Sequence, residues 1–65
     1  MTPSQEEALR EIKRINLGCI IVREYVDYTG DGETIVLDMR GPKDAPDQRI
    51  VTYRVEPDGK TSYRA

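Results

Sequence analysis

The spacing of apolar positions changes once along this chain. Ala8, Leu9, Ile12 and Ile15 recur three and four residues apart, which is the stripe of an amphipathic helix. Past Gly18 the spacing becomes two, and it stays two through three further segments. The helical stretch carries its own start and stop. Thr2 is a capping residue, Pro3 suits the first helical position, and Gln5 can close a capping box; Ser4 with Glu7 offers the same device two residues later. Glu6 and Glu7 lie where the helix dipole favours negative charge, Lys13 and Arg14 lie at the opposite end, and Gly18 can supply a left-handed cap. The pattern predicts a helix over residues 3–16.

Residues 18–28, GCIIVREYVDY, form the longest apolar, β-branched and aromatic run. They predict a first strand over 19–28. Alternation puts Ile20, Val22, Val26 and Tyr28 on one face, and Cys19, Ile21, Arg23, Tyr25 and Asp27 on the other. Glu24 interrupts the apolar set, so a bulge or an exposed end is expected there. Thr29-Gly30-Asp31-Gly32 is a turn, and residues 34–40 read as a second strand with Ile35, Leu37 and Met39 on one side. Residues 41–47 hold Pro42 and Pro46 and read as a polar surface loop. A third strand over 48–56 places Val51, Tyr53 and Val55 opposite Ile50, Thr52 and Arg54. Pro57-Asp58-Gly59 predicts a type I turn followed by a left-handed glycine. That register sets Tyr53 against Tyr63 and implies a short fourth strand over 60–64.

These elements assemble most simply as one α+β domain over 1–65, an N-terminal helix laid on a three- to four-stranded antiparallel meander. Its core would join the helix stripe to Ile20, Val22, Val26, Ile35, Leu37, Met39, Val51, Tyr53 and Val55. A small SH3- or Sm-like barrel with an N-terminal helix is the alternative architecture, since short strands with Gly and Pro turns are compatible with closure.

Composition narrows the chemistry. The chain has 65 residues with a 37% hydrophobic fraction and neither Trp nor Phe. A domain this small buries only about 60% of its unfolded surface, so its core is thin. One cysteine allows no internal disulfide, and Cys19 is expected to be a small buried hydrophobe. No apolar run approaches a membrane span, and MTPSQEEALRE lacks the basic start and apolar centre of a signal peptide. The expected compartment is therefore the cytoplasm. Ten Lys and Arg against twelve Asp and Glu give a net charge of −2, which supports no global attraction to nucleic acid.

There is no His, so the commonest general base and metal ligand is missing, and Cys19 has no partner for nucleophilic catalysis. Asp27, Asp31 and Glu33 depart from EF-hand spacing, and Gly30-Asp31-Gly32 precedes no helix and so forms no phosphate cradle. No enzyme, metal or cofactor is expected. The candidate binding residues lie on the strand face turned away from the helix: Arg23, Tyr25, Arg40, Thr52, Arg54 and Arg64, with Ser62 beside them. An aromatic among arginines on an open sheet suits phosphate contact and base stacking, and it suits a protein interface equally. Asp27, Asp38 and Glu56 on or beside that face dilute its charge. Ile21, Val36 and Ile50 also fall there, which is hard to accommodate in a lone one-helix, one-sheet monomer. The expectation is a small interaction module, of regulatory or mobile-element type, that binds a protein partner or itself through its sheet face or edge. A nucleic-acid-binding module is the alternative.

Overall fold

In the computed structural model the described residues are 1–30, 32–42 and 49–65. Helix α1 spans Pro3–Ile15, and its start is the capping box expected from the sequence. The Thr2 hydroxyl accepts from Gln5 N at 3.1 Å, while Gln5 Oε1 accepts from Thr2 N at 2.9 Å. At the other end Asn16 caps the helix. Its Nδ2 donates to Ile12 O at 2.8 Å and to the Tyr53 hydroxyl at 3.2 Å, and Gly18 turns the chain at φ +94°.

Four strands follow: β1 Ile20–Thr29, β2 Gly32–Arg40, β3 Ile50–Val55 and β4 Thr61–Arg64. They pair antiparallel in the order β1-β2-β3-β4. This is the expected α+β meander with one helix on an open sheet, so the closed barrel does not form. Strand β2 starts two residues earlier than its alternation implied, because the glycine turn keeps the hairpin paired out to Thr29 and Gly32. Strand β3 is shorter at both ends than expected. Asp31 of the first turn, and residues 43–48 with the predicted loop and the start of the third strand, lie outside the described residues. The Pro57-Asp58-Gly59 turn forms with Gly59 at φ +88°, and Tyr53 faces Tyr63 with ring centroids 5.7 Å apart.

Helix α1 lies over β2 and β3. Leu9 and Ile12 are buried with Ile35, Leu37, Met39 and Val55, while Ala8, Cys19 and Tyr53 pack at the margin. Each fully buried aliphatic side chain contributes about 1.5–3 kcal/mol of transfer free energy. The amino end of the helix is tied down by polar contacts as well. Gln5 Nε2 donates to Glu33 O at 2.7 Å and Val55 O at 3.2 Å, and the Thr2 hydroxyl donates to Pro57 O at 2.6 Å. Gln5 is consequently 1% exposed.

Four expectations about packing are corrected. Ile15 is 59% exposed, because the helix stripe meets the sheet only as far as Ile12. The irregularity in β1 falls between Ile21 and Arg23 and not at Glu24. One extra residue there reverses the side-chain parity upstream. Ile21 therefore pairs with Met39 on the helix side, Cys19 joins the core margin, and Ile20 pairs with Arg40 on the far face. Val22 and Val26 are exposed and take no part in the core, because α1 sits over β2 and β3 and leaves β1 uncovered. Cys19 itself is half-buried, short of the full burial expected of it. Glu24 stays on the helix side because β1 is an edge strand, where its carboxylate reaches Lys13 Nζ at 3.3 Å.

Candidate interaction surface

Strand register gathers the sequence candidates into rows across the uncovered face. Arg23, Asp38, Thr52 and Arg64 make one row, and Tyr25, Val36, Arg54 and Ser62 make the next. Arg40 sits between Ile20 and Ile50 at one end of the face. All six candidates therefore share one side of the sheet, opposite the helix. The bulge does not disturb this, because Arg23 and Tyr25 follow it.

Most of these groups hold one another. Arg54 Nη2 donates to Asp27 Oδ2 at 2.9 Å, and since Asp27 belongs to β1 and Arg54 to β3, this contact crosses over β2. A second crossing runs from Arg23 Nε to Asp38 Oδ2 at 3.8 Å and from the Thr52 hydroxyl to Asp38 Oδ1 at 2.6 Å. The Arg23 guanidinium also lies 4.2 Å from the centre of the Tyr25 ring, a cation–π distance. These straps explain how Val36 is 0% exposed and Thr34 is buried on a face that no helix covers. Neighbouring strands lie about 4.8 Å apart, so a side chain spanning two of them shields the middle strand. The two-sided apolar pattern is thus accommodated at Val36 by long polar side chains. Ile50, near the end of the face, remains exposed.

The electrostatics follow from this pairing. Asp27 and Asp38 offset Arg54 and Arg23, two of the four arginines on this face. Away from it, among the described residues, a pair of pKa displacements belongs to the helix. The hydrogen bonds from the Arg14 guanidinium hold the Glu11 carboxyl below its ordinary value, and Glu11 raises Arg14 in return. Both side chains are exposed, so the pair adds little stability. Among the described residues no group of three or more His, Cys, Asp or Glu is gathered to hold a metal ion. No helix among them is long and apolar enough to cross a membrane.

Two further features mark the surface. One is a hollow of about 310 Å³ beyond the end of α1, floored by Cys19, Met39, Val51 and Tyr53 and edged by Arg40 and Arg49. Cys19 lines it on the helix side of the sheet, and nothing in the alternation located the bulge that puts it there. The other is the margin of β1. Ile21, Val22, Tyr25, Val26 and Tyr28 are all exposed, Tyr28 to 77%, along a strand that, among the described residues, has a neighbour on one side only. Its apolar character and, through the expected meander, its place at an edge were legible in the sequence, whereas the exposure of its side chains was not.

No family model, curated protein or solved structure matches this chain.

Proposed function

We propose that this chain is a small non-catalytic interaction module that binds another protein, or a second copy of itself, through the β1 margin of its sheet. The observation that carries the reading is the state of β1. It is a ten-residue edge strand, and exposed large apolar side chains crowd along it. An edge strand offers a row of backbone donors and acceptors to an incoming strand, and exposed apolar and aromatic side chains supply the anchoring contacts. The opposite margin is blunter, since β4 is four residues long and ends at Arg64.

The nucleic-acid alternative draws on the same face but loses support from its geometry. Arg23 and Arg54 are already engaged with Asp38 and Asp27, so phosphate would have to displace carboxylates from them. Capture from host lysate by immobilised protein, before and after nuclease digestion, separates the two. Binding that survives nuclease and high salt, and is lost when Val22 and Tyr28 are both replaced by Lys, is the expected result. Binding abolished by nuclease, or falling steeply with salt as phosphate contacts do, overturns the edge reading.

A further inference from the structure

We infer that the occupant of the β1 edge is the β1 strand of a second copy, paired antiparallel about a two-fold axis that passes through Tyr25. This rests on the edge-binding reading above and specifies its partner. A two-fold perpendicular to the sheet merges two four-stranded sheets into one and leaves both helices on the same face. Such pairing sets residues of one face opposite residues of the same face, so only registers two residues apart compete. With Tyr25 on the axis, Arg23 opposes Asp27 of the second copy and Asp27 opposes its Arg23. Glu24 then faces Val26, and the exposed Tyr28 and Val22 meet at each end.

The neighbouring registers are poorer. One sets Glu24 against Glu24, a like-charge pair at the centre of the contact. The other sets Val26 against Val26 but places Tyr25 against Asp27 and Arg23 against Thr29, so no opposite charges meet. Charge pattern therefore selects a single alignment. The charges are also positioned for it. Arg23 and Asp27 lie on the same face of β1, after the bulge, where the strand pairs regularly from Arg23 to Thr29. In the dimer Arg23 bridges Asp38 of its own chain and Asp27 of the second copy, and that Asp27 keeps its own Arg54. The two straps on each subunit thereby join into a continuous network across the seam. On its uncovered face β1 carries opposite charges at equal distances either side of Tyr25, which is what a strand needs to recognise itself and what a generic edge does not require.

The test uses mixing. Sedimentation of the wild-type chain is expected to give twice the 7.4 kDa monomer mass. Asp27→Lys makes the strand positive at both positions, and Arg23→Glu makes it negative at both. Each variant alone is expected to dimerise about tenfold more weakly. Mixed in equal amounts they restore association, because both seam pairs are again opposite in charge. Each variant's circular dichroism serves as the folding control. In a Cys19→Ser background, Tyr25→Cys is expected to form a covalent dimer on oxidation, while Glu24→Cys and Val26→Cys stay monomeric. A wild-type monomer at the highest attainable concentration, no rescue on mixing, or cross-linking through position 24 or 26 overturns the proposal. Such a failure is distinguishable from failure of the wider reading, because nuclease-resistant capture that depends on Val22 and Tyr28 would persist with a different protein in place of the second copy.

Discussion

Gln5→Glu sets two accounts of the same residue against each other. On helix-capping grounds the change is neutral or favourable, since Glu closes a capping box as Gln does and adds negative charge to the first turn. The fold argues otherwise. Gln5 is 1% exposed, and its amide donates to Glu33 O and Val55 O, joining the helix to β2 and β3 at once. A carboxylate cannot donate either bond. At about 1 kcal/mol per lost hydrogen bond, with about 1 kcal/mol more for the buried acceptors left facing a charge, the cost is about 3 kcal/mol. A core of this size supplies only about 3–5 kcal/mol in all, so the variant stands near its limit. At about 4–8 °C per kcal/mol, its melting midpoint falls by about 12–24 °C at neutral pH. Gln5→Ala, which loses the bonds without adding charge, is expected to fall less.

The pH dependence of the same variant gives a second check. Burial and two facing carbonyls disfavour the ionised form, so the introduced carboxyl has a folded-state pKa above its unfolded value of about 4.3. Its protonated form is therefore bound more tightly by the folded chain. Stability relative to wild type is lost as pH rises through the folded value and recovered as pH falls below the unfolded one. Thermal melts followed by circular dichroism between neutral and acid pH measure both effects. A Gln5→Glu midpoint at or above wild type at pH 7, or a deficit that deepens on acidification, refutes the account.

Three further outcomes follow from the packing. Leu37→Ala removes a fully buried side chain at a cost of about 2–5 kcal/mol, which is expected to consume most of the stability and to move the urea midpoint steeply down at room temperature. Gly59→Ala is expected to destabilise more than Gly18→Ala. Both glycines have positive φ, costing about 1–2 kcal/mol for alanine, but only at Gly59 would the new methyl meet Ser4, at 3.0 Å from its Cβ. Equal melting midpoints for the two variants would count against the close seating of the helix on the β3–β4 turn. A double-mutant cycle on Asp27 and Arg54 should yield a coupling of about 0.2–1 kcal/mol that shrinks with salt, as the pair is roughly half exposed. Zero coupling at low salt would remove the strap over Val36.

Local signals along the chain are enough to place the elements and much of their order. Thr2, Pro3 and Gln5 mark the helix start through local backbone chemistry, and Pro57-Asp58-Gly59 fixes a turn whose register delivers Tyr53 to Tyr63. Such features are legible because they depend on neighbours within a few residues. Alternation likewise gathered Arg23, Tyr25, Arg40, Thr52, Arg54 and Arg64 on one face. Tertiary structure decided what alternation cannot encode. It shifted the β1 irregularity to Ile21 and Arg23, which sends Ile20 outward and Cys19 inward, because a bulge depends on the partner strand as much as on its own residues. It buried Gln5, a residue whose capping role gave no sign of two further bonds to strands far along the chain. It also left Val22 and Val26 of β1 uncovered, because the helix sits over β2 and β3. Period and propensity are properties of a segment, whereas burial belongs to the arrangement of segments, and it is the arrangement that leaves the apolar side chains of β1 exposed.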